Sequence, residues 1–404
     1  MRPMRILVLT STFPRWPGDR EPPFVFELCQ RLAALHEVLV LAPHCSGAAR
    51  EERMGERLSV RRFRYAPQRL ESLAYEGGIL EKLRRARWRW LLVPLFLVCQ
   101  LMVAVRAVRR YRPDVIHAHW IVPQGIVGVI ASLAARAGRR PALVCTSHGA
   151  DLFALRGLAA MLLKGCVARH AAALTVVSGA MKARATELGA RPEKVRVMPM
   201  GVDAQQRFAP HPAGMRARSE LLFVGRLVRK KGVGHLLEAL ALVKSSLPEA
   251  SLTIVGSGPL EDELRRQARS LGLAECVQFA GAVPNDQLAP YYRRAAALVL
   301  PSVVTQEGDQ EGLGLVIAEA LACECPVVAS DLPAIRDVVQ DGVTGLLAAP
   351  ADAPSLAGRI SQVLRDPARA RELARNGRAL VLERFDWPNV GRGYEALLAS
   401  AAAN

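Results

Sequence analysis

Two glutamates stand at the edges of an apolar, glycine-opened stretch, EGLGLVIAEA over residues 311–320. Glu311 precedes Gly312 and Gly314, and Glu319 falls inside LVIAEALA, which reads as a helix. A helix N-terminus presents unpaired backbone N–H groups and a positive dipole end, which suits a phosphate. Glycine lets such a ligand approach the backbone closely. Glu311 then lies in the loop and Glu319 about one and a half turns into the helix, a separation of roughly 12 Å at helical rise. That is near the span from sugar to ribose in a nucleotide sugar. The two carboxylates could accept from hydroxyls at either end, with a diphosphate over Gly312, Leu313, Gly314 and Leu315. Spacing alone equally allows one cap-like acid and one solvent-facing acid.

A second cluster is FVGRLVRKKG, residues 223–232, where a strand ends at Gly225 and Arg226, Arg229, Lys230 and Lys231 follow. Cations at a strand end, facing a helix N-terminus, make a diphosphate clamp; alone, they also fit a solvated turn. VGSGP, 255–259, carries Gly256 at another strand end, and FAGAVPNDQLAPYY, 279–292, offers the backbone of Val283 to a nucleobase. In the first half, HGADLF (148–153) puts His148 and Asp151 just past a strand, although a lone histidine is more often structural. HAHW (117–120) adds His119 as a wall residue, with no third ligand for a metal in view. STFPRWPGDREPPF offers Arg15, Asp19 and Arg20 to an acceptor, or is a stiff proline-rich surface loop.

These residues need elements to hold them. Short Val/Ile/Leu runs alternate with helical patterns along the whole chain, which implies parallel strands covered on both faces. The expected class is α/β, with two doubly wound, Rossmann-like domains facing a cleft. Residues 201–220, GVDAQQRFAPHPAGMRARSE, read as the linker. The expected domains are 1–205, on the acceptor side, and 206–387, on the donor side. The last segment, 388–404, is expected to be a helix that packs back on the first domain.

Order and spacing together carry a resemblance. GRLVRKKG, VGSGP, FAGAVPNDQLAPYYRRA, EGLGLVIAEALACECPVVASDLPAIRDVV and DGVTGLL, in that order, resemble the donor half of retaining glycosyltransferases of family 4, with the GT-B fold. The first half is similar to the same family, less specifically, and has Gly18 alone where many members carry a glycine pair. The resemblance implies Arg226 and Lys231 on the diphosphate, Glu311 on the donor sugar, Glu319 on the ribose and His148 beside the reacting sugar. It implies a nucleoside diphosphate sugar donor, of UDP or GDP type, and same-face attack by an acceptor hydroxyl. GDQE at 308–311 looks superficially like an acidic metal motif. Basic side chains and helix dipoles normally do that work in this fold, so no metal and no cofactor are expected.

The 404 residues carry a formal net charge of +17, which calls for an anionic partner. Nucleic acid is not that partner, because aromatics are 5% and the arginines are dispersed. Eight scattered cysteines without a framework fit a reducing cytoplasm. Arg84–Arg110 holds an apolar run shorter than the roughly 20 residues of a spanning helix. It reads as a buried core helix, as an interfacial anchor with Arg84, Arg85, Arg87, Arg89, Trp88 and Trp90 at lipid headgroups, or as both. The expected localisation is therefore cytoplasmic, peripheral on the inner membrane face through residues 82–110, with a lipid-linked or polysaccharide acceptor. The alternatives are a nucleotide-sugar 2-epimerase of the same architecture and a non-catalytic sugar-nucleotide binder.

Overall fold

Uniform Val, Ile and Leu runs are what strands buried on both faces require. The computed structural model describes residues 2–19, 21–75, 78–135, 140–155, 157–211 and 216–403. It divides into two compact units: Met1–Val177, Met181–Met198 and Gly391–Asn404 form the first, and Ser178–Ala180 with Pro199–Val390 the second.

The first unit holds strands β1 (Arg5–Leu9), β2 (Glu37–Pro43), β3 (Glu51–Arg53), β4 (Leu58–Phe63), β5 (Val115–His119), β6 (Ala142–Ser147), β7 (Ala173–Val176) and β8 (Val195–Val197). Its helices are α1 (Phe24–Ala33), α2 (Ile79–Arg85), α3 (Leu92–Tyr111), α4 (Ile126–Leu133), α5 (Ala150–Phe153), α6 (Leu158–His170) and most of α7 (Gly179–Glu187). The sheet order is β3-β4-β2-β1-β5-β6-β7-β8, parallel except for the charged edge strand β3. The crossovers through α3, α4 and α6 all step in one direction along this sheet. Right-handed crossovers in one direction put their helices on one face. Accordingly α3 packs on α4, and α4 on α6.

The second unit holds β9 (Glu220–Val224), β10 (Ser251–Val255), β11 (Val277–Gly281), β12 (Ala297–Leu300), β13 (Val327–Ser330) and β14 (Leu346–Ala348). Its helices are α8 (Val233–Lys244), α9 (Glu261–Ser270), α10 (Ala289–Arg294), α11 (Leu315–Ala322), α12 (Ala353–Arg365) and α13 (Pro367–Arg384), followed by the start of α14 (Trp387–Ala403). The order β11-β10-β9-β12-β13-β14 is the dinucleotide-fold order, wholly parallel. Ligands of such sheets lie beyond the strand C-termini where the order reverses, here between β9 and β12, and between β1 and β5 in the first unit. Residues 199–205 count with the second unit, where Val202 bridges to Asp386.

Helix α3 is not a core helix. Leu92, Phe96, Gln100, Ala104, Ala107 and Val108 are buried, while its other face is open. In the apolar window of Arg87–Tyr111, 33% is buried inside the protein.

Candidate active site

In the second unit the reversal point gathers the expected donor residues. Strand β9 runs into Gly225 and then exposed Arg226, and a short basic turn, Arg229–Lys231, precedes α8. Gly256, at the end of β10, has φ +137, and a Cβ there would lie 1.9 Å from the Gly225 carbonyl oxygen. Only glycine lets these two strand ends approach so closely. Across the reversal point Gly314 caps α11 with φ +82, and no side chain caps this helix. No capping side chain accepts from the first N–H groups of α11.

The basic turn and the loop before α11 are joined by two ion pairs. Lys231 Nζ lies 2.5 Å from Glu311 Oε2, and Lys230 Nζ lies 3.1 Å from Asp309 Oδ1. Glu311 is mostly buried. Burial works to raise its carboxyl, yet Lys231, then Lys230, with the Gly312 N–H, hold it down to about 2. Glu319 lies inside α11 and is buried; it faces neither cap nor solvent. Its Oε1 accepts from Asn285 Nδ2 (2.8 Å) and its Oε2 from the Tyr292 hydroxyl (2.7 Å). Both carboxylate oxygens of Glu319 are thus engaged, one from the loop after β11 and one from α10. Val283 sits half-buried in the loop after β11, just ahead of Asn285. Ser302, directly beyond β12, has a fully buried hydroxyl without a partner among the described residues.

In the first unit His148 follows β6 and is ringed by Phe24 (centroids 4.8 Å), Trp120 (4.9 Å) and His119 (5.3 Å, stacked). Its Nε2 is 3.0 Å from His119 Nδ1, so one ring donates and the other accepts. Burial, and secondarily His117, push the His148 imidazole down to about 3, so it is neutral near pH 7. His119 is fully buried and pushed down by the same cause, with His117 and His148 adding to it. Behind them His117 Nε2 meets Thr146 Oγ1 (2.8 Å), which meets Thr175 Oγ1 (2.6 Å). The Tyr394 ring of α14 lies 5.7 Å from His117.

Asp151 and the Arg15–Asp19 pair hold backbone in place. Asp151 is buried; its Oδ2 accepts from the Ile121 N–H (2.6 Å) and its Oδ1 from Ser147 Oγ (2.8 Å). It thereby ties the turn after β5 to the end of β6, where Trp120 is held at φ +76. That backbone region costs a non-glycine residue about 1–3 kcal/mol, so the clamp offsets strain beside His148. Arg15 and Asp19 are bound bidentately to each other at 2.7 and 2.8 Å, and Asp19 also accepts from the Arg15 N–H. The Arg15 guanidinium lies over the Trp16 and Tyr75 rings. Arg20 lies outside the described residues.

Sequence reasoning missed Asn285 and Tyr292 as partners of Glu319, the Lys230–Asp309 pair, and the row from His117 to Tyr394. The first two stood in motifs already singled out, NDQLAPYY and GDQE, and His117 stood in HAHW. Nothing marked Thr175 or Tyr394. Among the described residues no three His, Cys, Asp or Glu side chains are grouped as metal ligands.

The glycosyl transferases group 1 model matches residues 216–380, and the glycosyltransferase family 4 model residues 23–206. A glycogen synthase of Mycobacterium tuberculosis is 32% identical over 293 residues, covering 70% of this chain and 67% of that protein. The chain is a family 4 glycosyltransferase. A GDP-mannose-dependent alpha-(1-6)-phosphatidylinositol monomannoside mannosyltransferase of Mycolicibacterium smegmatis is 29% identical to this glycosyltransferase, over 98% of both chains. Among solved structures, the sucrose-phosphate synthase of Thermosynechococcus elongatus superposes on it with TM-score 0.80, at 24% identity over 99% of both chains. Anabaena HepE, in complex with UDP and glucose, superposes with TM-score 0.74, at 22% identity over 98% of this chain and 100% of that one. At these identities the likeness is one of fold. The α/β, GT-B reading of the sequence is borne out, and this glycosyltransferase is a hexosyltransferase.

Proposed function

We propose that this enzyme moves a hexosyl group from a nucleoside diphosphate sugar to an acceptor hydroxyl, with retention at the anomeric carbon. The observation that supports it most is the Lys231–Glu311 pair. It sets a cation and a depressed carboxylate beside the uncapped start of α11, at the reversal point of the second sheet. As the bond from the anomeric carbon to the diphosphate breaks, negative charge grows on the leaving oxygen. Lys231, Arg226 and the N–H groups from Gly312 to Leu315 stabilise it there. The acceptor oxygen forms its bond on the same face, and its proton passes to the leaving phosphate oxygen. Glu311, charged at any working pH, orients the sugar through its hydroxyls. Glu319 holds the ribose, with Asn285 and Tyr292 fixing its rotamer. His148 is neutral and available to a sugar hydroxyl. No step in this scheme requires a metal.

The donor is of UDP or GDP type. The M. smegmatis relative, which matches over the full length, is GDP-mannose-dependent and acts on a phosphatidylinositol monomannoside. It favours GDP-mannose as the first donor to try and a lipid-linked or polysaccharide precursor as acceptor, met at the cytoplasmic face of the membrane. The test is a thermal-shift series with UDP, GDP, ADP and their sugars on wild type and Glu319→Ala, followed by product NMR. Stabilisation by one nucleotide family, weakened in the variant, and an axial-to-axial or equatorial-to-equatorial anomeric outcome support the proposal. Absence of any shift, or an inverted product, overturns it.

A further inference from the structure

We infer that the face formed by α3, α4 and α6 of the first unit is a docking surface for an anionic phospholipid bilayer. The inference rests on the lipid-side reading of the acceptor only for its purpose; its evidence is separate. On α3 and the residue before it, Leu91, Leu95, Val98 and Met102 are all about half exposed or more, spaced four, three and four apart. That spacing draws one straight stripe along a helix. The opposite face is fastened down: Phe96 packs edge-on against Phe63 (5.2 Å) and Tyr65 (5.1 Å). The helix is therefore held flat on its sheet, with its outer stripe bare.

The stripe does not stand alone. The neighbouring α4 exposes Ile130 and Leu133, and α6 beyond it exposes Leu158 (71%), Met161 (51%) and Leu162 (61%). Three adjacent helices on one side of a sheet thus show aliphatic side chains to the outside. Among the described residues the second unit exposes only Leu242, Val304 and Val343 of this kind, each on a different segment. Contiguous exposed apolar surface marks a partner, where scattered residues do not.

Charge identifies the partner. The segments of α3, α4 and α6 contain no Asp or Glu. Arg84, Arg85 and Arg87 are exposed at one end of the stripe, and Arg106, Arg109 and Arg110 at the other. Trp88 and Trp90 are exposed between the first arginine group and the stripe. Aliphatic centre, tryptophan border and arginine rim match the layers from acyl chain to interface to anionic headgroup. A second copy of this chain is the poorer occupant. A two-fold contact through this face would set arginines on arginines, with no carboxylate on the three helices to pair them and with Glu81 of α2 already paired to Arg85.

The full chain is sedimented at low salt with vesicles of phosphatidylcholine alone and with about 30% phosphatidylglycerol added. Wild type should bind the anionic vesicles at least about tenfold more than the neutral ones. Leu95→Ser/Val98→Ser on α3, and separately Leu158→Ser/Leu162→Ser on α6, should each lower binding about tenfold or more. Arg84→Gln/Arg85→Gln/Arg87→Gln should remove most of the preference for anionic lipid. All these positions are exposed, and unchanged melting temperatures verify the fold. Failure of wild type to bind anionic vesicles overturns the proposal. So does binding indifferent to the α6 pair, and so does a dimer that the same serine variants dissolve. The vesicles hold neither donor nor acceptor. Binding without glycosyl transfer therefore sinks only the functional reading, and transfer to a short-chain acceptor without binding sinks only the docking surface.

Discussion

Lys231 and Glu311 hold opposite charges in a mostly dry place, so removing one strands the other. Lys231→Ala should lower kcat by about 10²–10³-fold, measured as product formed at saturating donor. The pair also writes a pH signature. Glu311 has a folded value of about 2 against an ordinary 4.5, so the fold favours its ionised form. That contribution is complete above pH 4.5 and is lost as pH falls toward 2. The stability advantage of wild type over Glu311→Gln, read as urea midpoints, should shrink steadily over that window. His148 shows the converse for a base. Its value of about 3 against 6.5 keeps the ring neutral, so it gives no acid limb in a rate profile between those values. His119→Ala opens the buried ring environment that depresses His148. An acid limb should then move up toward about pH 6 and kcat should fall about tenfold, while nucleotide affinity stays unchanged. A merely structural loss would not move the limb.

At the scale of elements, the strand ends carry the site. Gly256→Ala puts a methyl into the Gly225 carbonyl and should cost about 2 kcal/mol or more in urea unfolding. Donor affinity should fall with it, because the turn that begins at Gly225 must shift. Much of this was legible beforehand. The buried parallel strands announce themselves as unbroken Val/Ile/Leu runs, and EGLGLVIAEA shows its helix start through glycine and periodicity. What was not legible is contact at a distance. Asn285 and Tyr292 reach Glu319 from 34 and 27 residues away, and no local pattern encodes that. The charged strand β3, EER, lacks strand propensity and forms because β4 offers it an edge. Arg15 and Asp19 looked available for an acceptor, yet a bidentate pair four residues apart spends their polar atoms on the loop itself. The open face of α3 is not legible in its composition, which cannot say which stripe a helix buries.

At the scale of the whole molecule, the last helix belongs with the first strands. Tyr394 is fully buried, and its hydroxyl donates to the Met198 carbonyl at 3.0 Å. Tyr394→Phe leaves that carbonyl short of a donor and should cost about 1 kcal/mol, seen as a lower urea midpoint for the first unit. The net charge of +17 also acts at this scale, in speeding encounter with anionic surfaces, so association with anionic vesicles should slow as salt rises. Residues Gly391–Asn404 complete a unit whose other parts end at Met198. A ribosome adds roughly 5–20 residues per second, so tens of seconds separate those two parts during synthesis. Until Gly391–Asn404 is made, the first unit therefore lacks Tyr394, the ring that lies beside His117, so the earlier-made half cannot be the first to finish.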